Sequence, residues 1–272
     1  MVARDRLGCR MALPTRPEQN RTSLLGRLIT RPWLYSALIL LLASSRVAAA
    51  CVDPSVLVHS TASIKRIFAE DERKADPNLL GISGTGWFLA PGSMATIAHV
   101  AEAMHLSRED WKNAEIRDAQ DIQSIAVRIR RFVGSQSERI AVLELRNPFP
   151  GAQVLQIRTG PLVPDERLMS LAYPRDRLRF ASGRFVEYGA DDAFAGAALL
   201  ELYDGNDRLV LDHGASGAPV LDCEGRVVAT VSNILTQTIQ FASSVIRTST
   251  AWQRPNVVSV PVAALKEFAE AD

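Results

Sequence analysis

The sequence predicts an all-β fold of many short strands, closed by one C-terminal helix. From Leu79 onward, short runs rich in Val, Ile and Leu alternate with turn signals, a spacing typical of a sandwich or a barrel. Near the end of the chain, Val262, Leu265 and Phe268 are about three residues apart, which places them on one helix face. Pro261 precedes them, and proline suits the first turn of a helix.

A lead-in precedes this strand-rich region. Apolar and charged residues are mixed between positions 51 and 78, and the piece SIKRIFAEDERKA predicts a short helix at 63–75. The sequence therefore divides into a basic N-terminal segment with a signal at 1–50, a lead-in at 51–78 and a β domain at 79–272.

Composition and charge describe an ordinary globular protein. The 272 residues are 47% hydrophobic and 22% charged, which fits one or two domains. The net charge of +1 hides an asymmetry, because residues 1–50 carry eight Arg against only Asp5 and Glu18. This leaves 23 basic and 28 acidic residues in 51–272, a net charge of −5. A negative mature part argues against nucleic acid as a partner.

The N-terminal segment has the parts of a secretory signal. Arg27 and Arg31 precede the uncharged run WLYSALILLLASS at 33–45, and the small residues VAAA at 47–50 follow it. The run is short for a spanning helix, which needs about 20 apolar residues. We therefore expect export to the periplasm or the medium, with cleavage near Ala50.

Two other fates of this segment stay open. Arg46 interrupts the stretch and the basic segment is long, so the signal could stay uncleaved as a membrane anchor. Met11 is an alternative start to Met1. Cys51 follows small residues, as in a lipoprotein signal, although Ala48 stands where such signals usually have Leu. A membrane partner is expected only if the signal is uncleaved or Cys51 is lipidated.

Cysteine usage fits an oxidising compartment. Cys9 leaves with the signal, so Cys51 and Cys223 are the two cysteines of the mature chain. A pair of cysteines in an exported protein makes a disulfide between them plausible.

The segment HGASGAPV at 213–220 contains a candidate nucleophile, Ser216. An attacking serine needs an exposed Oγ on a tight turn, with backbone N–H groups that converge on the oxyanion formed after attack. Gly214 and Gly217, together with two neighbouring alanines, allow such a turn and a close approach of substrate. The alternative is a Gly/Ala-rich β-turn without chemistry.

A second segment contains a candidate base, His99. Residues 84–100 read GTGWFLAPGSMATIAHV, which predicts a β-hairpin whose return strand ends at His99. A general base must be near the nucleophile in space, not in sequence. The alternative is a structural histidine at a strand end.

Together these segments resemble the trypsin-like (chymotrypsin-fold) serine protease family. Its bacterial and secreted members show G-x-G-(F/W), a hairpin ending in (T/A)-A-H-V, then D-(I/L)-A-(V/L)-L, then G-x-S-G-(A/G)-P-V. The resemblance covers roughly residues 79–265, and 117 positions from His to Ser fit the family. It implies two six-stranded antiparallel β-barrels, a serine endopeptidase with peptide or protein substrates, and neither cofactor nor metal. It also implies that Ser216 is the nucleophile, that His99 is general base and acid, and that the N–H groups of Gly214 and Ser216 form the oxyanion hole.

The third member of the triad departs from the family pattern. The sequence ERIAVLEL at 138–145 places Arg139 where the family has Asp. That carboxylate holds the imidazole tautomer, and its substitution can lower turnover about four orders of magnitude. Either a one-residue bulge brings Glu138 to the site, or the triad is incomplete and the chain is weakly active or an inactive protease-fold binding protein. Three aspartates lie between His99 and this strand and are expected at the solvated surface, namely Asp110, Asp118 and Asp121.

Substrate preference and metal binding give weaker signals. By family analogy, Val210 lies at the base of the primary specificity pocket, and Ser232 and Ile234 lie on its wall. An apolar base and a bulky wall predict a small or medium apolar side chain rather than Lys or Arg. His99 and His105 are six residues apart without a zinc pattern, so no metal is expected.

Overall fold

The computed structural model describes residues 50–74, 77–134, 139–190, 194–234, 237–241, 244–248 and 255–265. Residues 1–49, which contain the predicted signal, lie outside this part. Within the described ranges, no helix is both long and apolar enough to span a bilayer.

The first barrel is closed by six antiparallel strands in the order β1-β2-β3-β6-β5-β4. Its interior follows from period-2 alternation: along β5, Ile125, Val127 and Ile129 are buried while the residues between them are not. Trp87 and Phe88 are fully buried, and the Phe88 ring stacks on Phe149. The strands are β1 Thr61–Ile67, β2 Gly81–Ala90, β3 Ser93–Ile97, β4 Lys112–Arg117, β5 Ile122–Gly134 and β6 Arg139–Leu145.

The second barrel is closed by six further antiparallel strands in the order β10-β11-β14-β9-β8-β7. Its core is built mainly from Ala, Val and Leu, with Phe185 as the large central side chain. Two further strands, β12 Gln237–Phe241 and β13 Ser244–Thr248, pair antiparallel in a separate two-stranded sheet. The barrel strands are β7 Arg167–Ala172, β8 Arg179–Tyr188, β9 Ala198–Tyr203, β10 Pro219–Leu221, β11 Val227–Ile234 and β14 Val257–Pro261. The prediction of two six-stranded antiparallel barrels is confirmed.

The helix predicted at 63–75 is wrong, because its first half is strand β1. This strand pairs with β2 on one side and β4 on the other, and Ala62 and Ile64 face the barrel core. Closing the barrel requires a strand here, and tertiary pairing overrides a weak local preference for helix. The first barrel therefore begins inside the segment that the sequence assigned to a lead-in.

The described chain ends in a short 3-10 helix, Val262–Leu265. Val262 and Leu265 are both fully buried, as their predicted common face requires. The rest of the predicted closing helix, with Phe268, lies outside the described residues.

The start of the described chain is held to the second barrel. Cys51 and Cys223 form a disulfide across 172 positions of sequence. The Val52 N–H also donates to the Cys223 carbonyl at 2.9 Å. The residues before β1 are thus attached to the turn between β10 and β11.

Candidate active site

His99 lies at the start of a short helix rather than at the end of a strand. Strand β3 ends at Ile97, and helix α1 spans Ala98–Ala103. Val100 and Ala101 are buried against the first barrel, whereas His99 is exposed. The buried side of this short helix fixes the backbone, and the imidazole lies on the solvent side.

Ser216 lies in a tight turn whose glycines have left-handed backbone conformations. Gly214 has φ of 97° and Gly217 has φ of 91°, values that side-chain-bearing residues rarely adopt. The Ala215 N–H donates to Asp212 O at 2.8 Å, and Ser216 is half-buried. Its Oγ donates to the Ser232 carbonyl at 3.0 Å. The small residues in the motif are therefore needed for the conformation of the turn.

The two segments pack directly on each other. A Cβ atom at Gly217 would overlap Thr85 O and Thr96 Oγ1 and would lie 3.2 Å from the Ile97 nitrogen. A Cβ at Gly84 would strike the Val100 side chain and lie 3.4 Å from Ser216 O. The structure thus brings the chain just before His99 against the turn that carries Ser216, while Val100, just after His99, packs on Gly84 of β2, which also approaches Ser216 O.

Two carbonyl groups of the turn around Gly214 have donors. His213 O accepts the Arg175 N–H at 3.2 Å, and Gly214 O accepts the Thr85 hydroxyl at 2.6 Å. In a trans peptide the N–H and C=O point in opposite directions, so the Gly214 N–H points away from Arg175. The predicted oxyanion-hole residues, Gly214 and Ser216, lie two positions apart in this turn.

Arg139 is engaged at the surface of the first barrel. Its guanidinium bonds the Glu102 carboxylate at 2.6 Å and stacks over the Phe132 ring at 4.4 Å. Glu102 follows His99 by three residues on α1, so Arg139 pairs with a carboxylate on the helix that carries His99. Glu138, the tentative third member, lies outside the described residues.

The predicted pocket residues are in the second barrel. Val210 is half-buried and packs on the core of that barrel, and Ser232 is fully buried on β11. Ile234 ends the same strand, and its side chain lies outside the described part. Asp212, beside the turn, pairs with Arg175 at 2.6 Å.

The expectation that Asp118 is a solvated surface carboxylate is wrong. Its side chain is 1% exposed, and its Oδ2 lies 2.7 Å from His59 Nδ1. The backbone N–H groups of Gln120 and Asp121 donate to its other oxygen. Sequence reasoning missed the His59–Asp118 pair, since nothing in the two local sequences relates them. Asp110 and Asp121 are exposed, as expected.

Burial alone would raise the pKa of the Asp118 carboxyl. Hydrogen bonds from the Asp121 backbone, from His59 and from the Gln120 backbone outweigh that effect and hold the pKa below its usual value of 3.8. Tyr173 is buried nearby; its burial, and then the charge of Asp118, raise the pKa of its phenol. Within the described residues, the Tyr173 hydroxyl has no hydrogen-bond partner.

We expect Asp118→Asn to change the pH dependence of stability. Because the folded pKa of Asp118 is lowered, its contribution is present above the unfolded value and is lost as pH falls through the folded value. Urea unfolding between about pH 6 and about pH 3 should therefore show a wild-type advantage that shrinks towards acid. The exposed Asp121→Asn is the matched control and should leave the slope unchanged; an equal slope for Asp118→Asn and wild type would contradict the expectation.

The described residues also offer no group of side chains suited to binding a metal ion. In the part of the chain that the structure describes, no three His, Cys, Asp or Glu side chains group in a way that could hold a metal ion. His105 instead stacks on the Phe68 ring, with centroids 4.8 Å apart.

The sequence also matches a model of a known protein family. The profile of the trypsin-like peptidase domain matches residues 84–229, more than half of the chain and including both His99 and Ser216. The chain belongs to the trypsin-like peptidase family. Comparison with curated protein sequences gave no match.

Solved structures share the fold of this peptidase at low sequence identity. The Rv3671c protease from M. tuberculosis in its active form superposes with a TM-score of 0.51 at 15% identity, over 81% of this chain and 86% of that one. Deg5 superposes with a TM-score of 0.51 at 14% identity, over 79% of this chain and 89% of Deg5. The HtrA-type protease AlgW, solved with a tripeptide, superposes with a TM-score of 0.50 at 12% identity, over 80% of this chain and 62% of AlgW. At these identities the similarity concerns the fold of the peptidase.

Proposed function

We propose that the peptidase is an exported serine endopeptidase in which Ser216 is the nucleophile and His99 the general base. The observation that supports this most strongly is the close approach of the end of β3, at Thr96 and Ile97 just before His99, to Gly217 in the turn of Ser216. A Ser–His pair of this kind needs its two residues on different segments that meet in space.

The chemistry assigns a step to each group. His99 takes the proton of the Ser216 hydroxyl as the oxygen attacks the carbonyl carbon of the scissile peptide. The N–H groups of Gly214 and Ser216 donate to the oxyanion of the tetrahedral intermediate. His99 then gives its proton to the leaving amine, and a water molecule hydrolyses the acyl-enzyme by the same route.

The third member of the triad is proposed to be Glu138. Arg139, which takes the family's Asp position, bonds Glu102 and Phe132 and therefore has partners of its own. Its charge is balanced beside α1, which reduces the repulsion that a lone guanidinium would exert on a protonated His99.

The substrate is proposed to be a peptide with a small or medium apolar residue before the scissile bond. Val210 contributes apolar surface at the predicted pocket base, and Ser232 and Ile234 belong to strand β11 beside it. Such a base offers no carboxylate to a Lys or Arg side chain.

Activity-based labelling tests this function. A fluorophosphonate probe should label the folded protein on one peptide, which contains Ser216, because the reagent reacts with activated serines. Peptide mapping by mass spectrometry locates the label, and heat-denatured protein is the control that should stay unlabelled. A folded protein that takes no label would instead indicate a protease-fold binding protein without catalysis.

Export is proposed with cleavage after Ala50. The motive is the apolar run at 33–45 and the small residues that follow it. A Cys51–Cys223 disulfide supports it, because disulfides persist in oxidising compartments. The same bond uses the sulfur of Cys51, which lipidation would need.

Intact mass and N-terminal sequencing of the protein from its host test the export proposal. We expect a soluble product that starts at Cys51 and, in non-reducing peptide maps, a linked Cys51–Cys223 pair. A soluble product that still starts at Met1 or Met11 would contradict cleavage. A membrane product with the added mass of two or three acyl chains would indicate lipidated Cys51.

A further inference from the structure

Thr85 on β2 is a fully buried threonine whose hydroxyl bonds two segments of the second barrel. Its Oγ1 donates to Gly214 O at 2.6 Å and accepts the Tyr173 N–H at 3.0 Å. The backbone of Thr85 is held as well, since its N–H donates to Ser216 O at 2.9 Å and its carbonyl accepts the Thr96 hydroxyl at 2.7 Å. The side chain of Thr85 has no role in the reaction steps proposed above.

The position of Gly214 explains why such a hydroxyl matters. Glycine occupies left-handed and right-handed conformations with similar ease, so the peptides around Gly214 can rotate without steric penalty. A rotation would turn its N–H away from the oxyanion. The hydrogen bond from Thr85 holds the carbonyl that follows Gly214, and Arg175 N–H holds the carbonyl that precedes it. With both carbonyls held, the orientation of the Gly214 N–H is fixed.

We propose that Thr85 is a positioning residue, whose hydroxyl holds the Gly214–Ala215 peptide and so restricts rotation about Gly214, which keeps the N–H of the neighbouring His213–Gly214 peptide directed at the oxyanion. This proposal rests on the proposed function. Thr85 touches neither substrate nor reacting atoms, and it acts from the first barrel on a turn of the second. Its loss would leave the Gly214 carbonyl and the Tyr173 N–H without their hydroxyl partner in a buried place, so the turn would relax towards other conformations.

Two substitutions separate the hydroxyl from the shape of the side chain. Thr85→Val keeps the branched shape and removes the hydroxyl, whereas Thr85→Ser keeps the hydroxyl. On an apolar peptide ester, Thr85→Val should lower kcat by about 10- to 100-fold with KM nearly unchanged, less than the loss of an oxyanion donor itself. Thr85→Ser should stay within about threefold of wild type. Ser63→Ala is the matched control, because it removes another buried hydroxyl between the barrels, bonded to Asp176, and should leave kcat unchanged.

A ligand measurement distinguishes positioning from a general loss of structure. A peptide aldehyde forms a hemiacetal with Ser216 whose oxygen occupies the oxyanion site, and Thr85→Val should bind it more weakly by the same factor as kcat falls. The affinity of a non-reacting peptide of the same sequence should not change. Circular dichroism and thermal melting show whether each variant is folded. If Thr85→Val does not fold, Thr85→Ala takes its place and is judged by the same criteria.

The outcomes separate this proposal from the proposed function. If the probe labels the wild type, and kcat is equal in wild type, Thr85→Val and Thr85→Ser, the role of Thr85 is overturned and the proposed function stands. Equal losses of aldehyde and peptide affinity would also overturn it, because they indicate a distorted cleft. Folded wild type without label or turnover would overturn the proposed function, and the role of Thr85 in it.

Discussion

Replacement of Ser216 by Ala should lower turnover of an apolar peptide ester by about six orders of magnitude, to the level left by binding and the oxyanion hole. The reason is that no other group in the proposed mechanism can form the acyl-enzyme. Steady-state assays and burst kinetics with the same ester measure the loss. Stability should change little, because Ser216 is half-buried and its Oγ donates one hydrogen bond, to Ser232 O.

His99→Ala is the companion variant for this measurement. Since nucleophile and base act as a unit, its loss should be of similar size, and the double variant should be no worse than either single one. Wild-type turnover in Ser216→Ala would show that the hydrolysis comes from another residue or from a contaminant.

Glu138→Gln should lower turnover by about four orders of magnitude if Glu138 orients His99, and Arg139→Asp should then give no gain. The amide keeps the size of the side chain but cannot stabilise the imidazolium that forms during attack. If the triad is instead broken at 139, the wild type is slow, Glu138→Gln is nearly silent and Arg139→Asp raises activity. The two cases therefore differ in the effect of Arg139→Asp, which raises turnover only if the triad is broken at position 139.

Glu102→Gln is the matched control for the pair. It removes the charged partner of Arg139 without changing either position 138 or 139, and this half-exposed ion pair contributes at most about 1 kcal/mol to stability. We expect turnover within a few-fold of wild type. A rise in turnover for Arg139→Asp alone, measured on the same apolar ester, would reject Glu138 as the third member.

Local motifs carried most of what the sequence could predict. The turn of Ser216 needs small residues at fixed positions, and the hairpin before His99 needs glycines and an apolar return strand, so both can be read from consecutive residues. The alternation along strands such as β5 also follows from local pattern. These features together led to the family and its two barrels.

Features made by distant pairing could not be predicted in this way. Strand β1 is a strand because β2 and β4 flank it, and its own sequence equally favoured a helix. Asp118 follows β4 and meets His59, which lies 59 positions earlier just before β1, only because these two strands pair. The bonds of Thr85 to Gly214 and Tyr173 likewise join residues about 90 to 130 positions apart, and nothing in the local sequence marks them.

If the chain is exported as proposed, the disulfide between Cys51 and Cys223 sets an order for its maturation. An exported chain emerges with its N-terminus first, so Cys51 reaches the oxidising side 172 positions ahead of its partner. The first barrel, β1 to β6, lies entirely between the two cysteines and can close before the second thiol arrives. Cys223 follows β10, and the bond can form natively only after much of the second barrel has crossed. On this proposal the disulfide forms late in folding, and with cleavage after Ala50 the crosslink would include the first residue of the mature chain.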